Sequence, residues 1–244
     1  MALLAAAMVG YVAPAYAGTA DDLERLAKGF EDAALRLHDD TQEPTEIVRW
    51  DGTIAMAFAN PLGAPRQARL MREAVREIAA IAGVTVREVE ADDPAANFVG
   101  KFSDASAAGG STSNCFSSTA WESGRMRRVE FNVGTRLGFG GDRCVVHEVL
   151  HGFGFRSHPH GLDSILSYVY NREGLATVDR LLIETLYDKR LKPGMAREEA
   201  APIACRILGQ KTGVHPIVAA AVCARRGRSA PPPLHSVSSE RDRP

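Results

Sequence analysis

Apolar residues recur every three to four positions in several segments of the chain, the spacing that places them on one face of a helix. The first such segment follows Thr19, whose hydroxyl can cap a helix, and an acid three residues later, Asp22, supports the same start. Another segment is closed by Gly83, a residue type common at helix ends. The pattern predicts helices over residues 20–37, 67–82, 142–151, 177–187, 197–208 and 216–225.

Alternation of apolar and polar residues predicts strands in other segments. It is clearest where Val129, Phe131 and Val133 share one face. The strands predicted in this way cover residues 47–58, 84–89, 97–102 and 126–133. Residues 103–118 are rich in Gly, Ala and Ser and are predicted to form a loop. We expect strand 97–102 at a sheet edge, where it either binds an extended peptide by strand addition or is an ordinary edge strand.

The order of these elements indicates how the chain is organised. Strands and helices mix in the first part of the chain, and helices alone follow, which predicts an α+β domain with helices packed on a mixed sheet. We place this domain at residues 18–195 and a smaller helical extension at 196–225. From residue 226 to 244, Pro, Ser and Arg dominate, so a disordered tail is expected there.

The first 17 residues have the pattern of a secretory signal peptide. An apolar run precedes Ala15, Tyr16 and Ala17, which match the A-x-A cleavage pattern. No Lys or Arg precedes the run, which departs from the usual pattern. A buried first helix and an uncleaved membrane anchor are the alternatives, although the run is short for a membrane span. We therefore expect a periplasmic or secreted protein, and no later segment is long enough to cross a bilayer.

The four cysteines take their meaning from this predicted export, because disulfides form in oxidising compartments. Four cysteines allow three pairings, and we favour the pairing of neighbours along the chain, Cys115 with Cys144 and Cys205 with Cys223. Zinc ligation by these cysteines is less favoured, because no C-x-x-C spacing occurs. A bridge at Cys144 would restrain the segment that begins three residues later.

The charge balance limits the kind of partner. The formal net charge of the 244 residues is −1, so the chain has no overall basic field to attract nucleic acid. A metal ion, a peptide or another small ligand is the expected partner. The sequence does not indicate an oligomeric state.

The residues with the strongest chemical signal are His147, Glu148 and His151, in the pattern H-E-x-x-H. Two histidines four residues apart lie about one helical turn apart on the same face, which suits two ligands of one small cation. Imidazole nitrogen favours zinc over calcium or magnesium. Glu148 flanks this pair, where it can take a proton from the attacking water and later deliver it to the leaving amine.

The residues that follow strengthen this interpretation. Gly154 comes three residues after His151, where a helix must stop for the chain to turn back toward the metal. Four of the seven histidines lie between His147 and His160, including His158. A solvated, histidine-rich loop beside a core helix is the alternative explanation.

At this point the sequence resembles the metzincin metallopeptidases. Their pattern, H-E-x-x-H-x-x-G-x-x-H/D followed by a methionine turn of the S-x-M-x-Y type, is similar to the motif and to Ser164-Ile165-Leu166-Ser167-Tyr168. Two departures occur. The third ligand of that pattern falls on Ser157, whereas the histidine here is His158. The turn methionine, an apolar floor beneath the metal, is replaced by Leu166.

A second resemblance covers residues 50–195. The order of Asn114-Cys115-Phe116, the motif with Cys144, and the run Leu186-Tyr187-Asp188-Lys189-Arg190-Leu191-Lys192-Pro193-Gly194-Met195 is similar to an exported bacterial family of unknown function with a zincin-like core. Many members of that family keep only the glutamate of the motif, whereas this chain has both histidines. The resemblance implies a zincin-like fold and export more firmly than it implies a substrate.

Together the resemblances imply roles for single residues. His147 and His151 are expected to be zinc ligands, and His158 the third, with His160 and Asp163 as the alternatives. Glu148 is the expected general base and acid. Tyr168 takes the place of the turn tyrosine, where its hydroxyl would bind the metal or stabilise an oxyanion, unless it is a packed core residue.

The expected function is that of a zinc metallopeptidase that hydrolyses peptide or protein substrates. One alternative is a non-catalytic envelope protein that uses a zincin fold to bind a partner. Another is a zinc hydrolase acting on a cell-wall amide. Whether the region before Trp50 blocks the site as a pro-segment is left open by the sequence.

Overall fold

A computed structural model describes residues 18–36, 45–103, 115–134, 141–169 and 172–226 of the chain. The described residues form six α-helices, five β-strands and a single 3₁₀ turn at Pro61–Gly63. The helices are α1 (Ala20–Ala34), α2 (Pro65–Ala82), α3 (Gly141–Gly152), α4 (Thr177–Leu186), α5 (Arg197–Lys211) and α6 (Pro216–Cys223). The strands are β1 (Ile54–Ala59), β2 (Val86–Glu88), β3 (Phe98–Ser103), β4 (Cys115–Glu122) and β5 (Arg125–Gly134). The predicted α+β class, a mixed sheet with packed helices, is confirmed.

Helix α1 begins as its sequence predicts. The Asp22 amide donates to the Thr19 hydroxyl over 3.1 Å, and the Thr19 amide donates to the Asp22 carboxylate over 3.2 Å, which completes a capping box. Other boundaries differ from their predictions. The strand predicted over 47–58 begins only at Ile54, after Asp51 and Gly52 interrupt the extended backbone.

The five strands form one sheet in the order β2-β1-β3-β5-β4, in which β4 alone runs antiparallel to its neighbour. The expectation that residues 97–102 lie at a sheet edge is therefore wrong. Strand β3 is central, and its Phe98, Val99 and Phe102 are buried. Because its backbone already pairs with β1 and β5, β3 cannot bind a peptide by strand addition.

Strand β4 forms one edge of the sheet, and its first four residues, 115–118, were predicted as loop. The loop prediction over 103–118 is wrong from Cys115 onward. Strands β4 and β5 form a hairpin whose turn residues, Ser123 and Gly124, both have positive φ, as the favoured two-residue hairpin turns require. The small polar residues of β4 carry no strand signal of their own. The segment is extended because its backbone pairs with β5.

The end of α3 packs against the sheet through a cluster of aromatic side chains. The Phe98 ring lies 4.7 Å from that of Phe131 and 6.0 Å from that of Phe153, measured between centroids. The Trp50 indole, also buried, donates to the Gly152 carbonyl over 2.9 Å. Buried aromatic area together with a hydrogen bond to the last turn of the helix fixes α3 against the sheet.

Helices α1, α5 and α6 pack together and share one hydrophobic core with the sheet domain. Glu31 of α1, which is buried, pairs with Arg197 at 3.1 Å and with Arg226 at 3.3 Å. A disulfide joins Cys205 of α5 to Cys223 of α6. The α1 helix is thus part of the folded body.

Both predicted disulfides are present, since Cys115 of β4 is also bonded to Cys144 of α3. Among the described residues, no helix combines the length and apolarity needed to cross a bilayer. The predicted signal peptide at 1–17 lies outside the described residues, as does the predicted tail apart from Arg226.

Candidate metal centre

Helix α3 carries the two histidines of the motif on one face, as their spacing predicts. His147 is buried at 8% exposure, and His151 is half-buried. Their ring centroids lie 4.8 Å apart, and their Nε2 atoms 3.1 Å apart. One turn of helix therefore brings two ligand atoms to the same point.

The third histidine, His158, lies on the loop that follows α3. The helix ends before Gly154, whose φ of +107° turns the chain back. The amides of Arg156 and Ser157 then donate to the Ala33 carbonyl at the end of α1, over 2.7 Å and 3.1 Å. These contacts place the Nε2 atom of His158 3.1 Å from that of His147.

The structure brings His147, His151 and His158 together, with one ligand atom of each within 4.8 Å of the others. Ser157, where the metzincin pattern has its third ligand, is buried at 2% exposure. The histidine one position later occupies the place beside the pair.

The two alternative ligands lie outside the cluster among the described residues. His160 is exposed, and Asp163 forms an ion pair with Arg172. The Arg172 guanidinium lowers the pKa of the Asp163 carboxyl below its ordinary value through a hydrogen bond.

Backbone carbonyls determine which ring nitrogens of the helix pair carry protons. The Nδ1 atom of His147 lies 3.0 Å from the Ile165 carbonyl oxygen, and that of His151 lies 2.5 Å from the Phe155 carbonyl oxygen. Because a carbonyl can only accept, both Nδ1 atoms must donate, which makes the Nε2 atom of a neutral ring an acceptor. Burial, and secondly the His151 ring, lower the pKa of His147 to about 3, so this ring is neutral.

With both rings neutral, two Nε2 lone pairs would face each other across 3.1 Å, and a cation between them would satisfy both. Outward Nδ1–H groups held by carbonyls are the usual orientation of metal-ligating histidines. A set of three imidazole nitrogens suits zinc better than calcium or magnesium. The donor set therefore fits a zinc ion.

Glu148 is held from the neighbouring edge strand. The Ser117 hydroxyl of β4 donates to the Glu148 carboxylate over 2.7 Å, and both residues are half-buried. Cys115 lies two residues before Ser117, and Cys144 lies four residues before Glu148. Their disulfide therefore joins β4 to α3 close to the contact between Ser117 and Glu148. Sequence reasoning missed Ser117, because the composition of residues 103–118 predicts a loop.

Tyr168 lies at the open side of the cluster. Its ring centroid is 4.1 Å from that of His158 and 6.0 Å from that of His147, yet 69% of the residue is exposed. The alternative that Tyr168 is a packed core tyrosine is therefore wrong. Leu166, which replaces the turn methionine, is buried.

The loop containing Leu166 is held by two residues that were not predicted to matter. Arg143, in the first turn of α3, donates to the Ser167 carbonyl. Asp179, in the first turn of α4, accepts from the Ser164 hydroxyl and from the Ile165 amide. Asp179 carries a helix-start signal in the sequence, and nothing in its local pattern indicates these longer contacts.

Comparison with known proteins gives a match of one segment to a family model and a structural likeness. A family model described as a protein of unknown function (DUF2927) matches residues 135–205, which include α3, the histidine loop and α4. No curated protein matches the chain. The crystal structure of myroilysin is similar over 68% of this chain and 95% of its own, with 14% sequence identity and a TM-score of 0.41. Neither likeness identifies a function.

Proposed function

We propose that this chain is a zinc-dependent metallopeptidase of zincin-like fold. The observation that carries the proposal is the convergence of three histidine Nε2 atoms beside Glu148. Surface histidine clusters are common, but here the helix pair is oriented by backbone carbonyls and is partly buried. This arrangement is typical of metal ligands and not of a solvated loop.

In this proposal His147, His151 and His158 hold the ion. Zinc bound by three imidazoles acts as a Lewis acid toward a carbonyl and makes a water-derived nucleophile available near neutral pH. The protein contributes a fixed set of nitrogen ligands. The exposed Tyr168 marks the side from which a substrate is proposed to approach the cluster.

Glu148 is the proposed general base and acid. Its carboxylate takes a proton from the attacking water and passes it to the leaving amine. The Ser117 hydroxyl fixes one carboxylate oxygen at 2.7 Å, and the other oxygen is the one proposed to transfer the proton. Orientation by a neighbouring side chain is what an efficient proton carrier requires.

Tyr168 and β4 are proposed to contact the substrate. The exposed Tyr168 ring lies 4.1 Å from that of His158, which supports the proposal that its hydroxyl stabilises the carbonyl oxygen of the bond being cleaved. Strand β4 pairs only with β5 within the described part of the sheet, so an extended peptide is proposed to add along its other edge, close to Ser117. The substrate class is therefore peptide or protein.

The proposed location is the periplasm or the extracellular space. Two disulfides support it, because such bridges persist in oxidising compartments. The signal peptide proposed at residues 1–17 supplies the route.

The test is cleavage of an unfolded, reduced and alkylated protein substrate by the purified chain with one equivalent of zinc. We expect cleavage that a chelator stops and added zinc restores. Glu148→Gln should lower the rate by at least about a hundredfold, because it removes the proton carrier, while zinc binding is unchanged. Full activity of Glu148→Gln would contradict the mechanism. Zinc binding without any cleavage would favour the partner-binding alternative.

A further inference from the structure

Asp179 is a buried carboxylate whose hydrogen bonds extend beyond its own helix. Only 1% of the residue is exposed. One oxygen accepts from the Ser164 hydroxyl over 2.5 Å, and the other accepts from the Ile165 amide over 3.1 Å and from the Ala176 amide over 2.7 Å. The Ala176 contact caps α4, but the other two donors come from the loop 14 and 15 residues upstream.

These contacts continue without a break to His147. The Ser164 hydroxyl that donates to Asp179 also accepts from the Leu166 amide over 3.0 Å. That amide belongs to the same peptide group as the Ile165 carbonyl, which accepts from His147 Nδ1 at 3.0 Å. The chain of hydrogen bonds therefore runs from His147 through one peptide group and one hydroxyl to a carboxylate.

All donors along this chain point the same way, toward Asp179. Hydrogen bonds in such a series polarise one another, most strongly when one end is charged. A carboxylate bonded directly to a metal-ligating histidine fixes the ring and raises its basicity. Here the peptide group between Ile165 and Leu166, with Ser164, stands between the carboxylate and the ring.

We propose that Asp179 is a positioning residue for His147, acting through Ser164 and the Ile165–Leu166 peptide group. The proposal rests on the proposed metal site, and it assigns to α4 a part in building that site. A capping role alone would need only the Ala176 contact. It would leave the two loop contacts without consequence for the histidines.

The test compares zinc affinity with stability in three variants. Asp179→Asn removes the charge at the end of the hydrogen-bonded series. Ser164→Ala interrupts that series but leaves the Ala176 cap of α4 intact. Glu31→Gln is the matched control, a buried carboxylate whose ion-pair partners, Arg197 and Arg226, lie outside the hydrogen-bonded series from His147 to Asp179. Zinc affinity is measured by competition with a chromophoric chelator, and stability by thermal unfolding of the metal-free chain.

We expect Asp179→Asn to lower zinc affinity by about tenfold, since loss of an outer partner of a ligand has effects of this size. Ser164→Ala should lower it in the same direction, and it carries the test if Asp179→Asn does not fold. Glu31→Gln should lower the unfolding temperature with zinc affinity unchanged. Unchanged affinity in Ser164→Ala, or an equal loss in Glu31→Gln, would overturn the proposal.

A second readout separates this proposal from the proposed function. In the metal-free chain, nitrogen-15 NMR should show His147 with its proton on Nδ1, and Ser164→Ala should speed the exchange of that proton with solvent. If the wild-type chain binds no zinc, the proposed function fails, and the exchange rate still decides whether Asp179 holds His147. Equal exchange in wild type and Ser164→Ala would overturn the positioning role.

Discussion

Helix α3 and the loop of residues 156–169 both contribute to the histidine cluster, but different kinds of contact hold them. Helix α3 is covalently tied to β4 through Cys115 and Cys144, and the Trp50 indole fixes its last turn. The loop has no disulfide. Its ends depend on amides bonded to the Ala33 carbonyl and on the contacts of Asp179 with Ser164 and Ile165.

The difference explains why one half of the site has regular spacing and the other does not. The positions of His147 and His151 follow from the period of a helix. The position of His158 follows from where the loop meets α1, so a histidine one residue later than in the metzincin pattern still reaches the cluster. We therefore expect changes in the loop to disturb the positions of His147 and His151 only a little. Changes in α3 should disturb the loop more.

Removing one histidine from each half should give the largest effects. His151→Ala should lower zinc affinity by more than about a hundredfold, because it breaks the pair that the backbone carbonyls orient in advance. His158→Ala should lower it less, since that pair remains. His160→Ala, a change to an exposed histidine of the same loop, should have no effect. Competition with a chromophoric chelator measures all three, and an effect of His160→Ala equal to that of His158→Ala would contradict the assignment of the third ligand.

The junction between the halves can be disturbed at Gly154. A Cβ there would collide with the Val48 carbonyl oxygen, and φ is +107°. Gly154→Ala should lower the free energy of unfolding by about 3 kcal/mol or more, from backbone strain and overpacking together. Gly161→Ala is the control: its φ is +75°, but a Cβ would meet nothing within 4 Å. Gly161→Ala should lower the free energy of unfolding by about 1 kcal/mol. Similar losses in urea unfolding would show that the junction is not tightly packed.

The two disulfides separate stability from function. Replacing either pair with alanine should lower the free energy of unfolding by about 3 kcal/mol, because the bridged residues are 29 and 18 positions apart. Only the loss of Cys115–Cys144 should also lower zinc affinity and cleavage, since it releases α3 from β4. The Cys205–Cys223 variant, measured at a temperature where both variants are folded, should keep both properties. Equal functional loss in the two variants would argue against a special role for the first bridge.

The smallest expected effect concerns the support of Glu148. Ser117→Ala should lower the cleavage rate by up to about tenfold, the equivalent of about 1.5 kcal/mol for a hydrogen bond to a charged acceptor. Zinc affinity should not change. Ser118→Ala, at an exposed position of the same strand, should leave the rate unaltered. A rate equal to wild type in both variants would mean that Ser117 does not orient the carboxylate.

Local patterns in the sequence predicted the helices, including the α3 half of the site. The capping box at Thr19, the amphipathic helices and the spacing of His147 and His151 all depend on residues within one or two turns of each other. The neighbour pairing of cysteines was also correct. These features require no knowledge of which distant segments meet.

The features that were missed depend on distant segments. The central position of β3 and the strand at β4 follow from pairing with β5, whose register no single strand encodes. Ser117 meets Glu148 across 31 residues, and Asp179 meets Ser164 across 15. Each of these side chains has an ordinary local explanation, a loop serine or a helix-start acid, so only the fold indicates its role.

Zinc content tests the central claim most directly. Native mass spectrometry of the folded chain, equilibrated with a small excess of zinc and then desalted, should show one zinc ion per chain. The His147→Ala/His151→Ala double variant, confirmed as folded by circular dichroism, should show none. A folded wild-type chain without zinc, or a double variant with the same zinc content as wild type, would contradict the account.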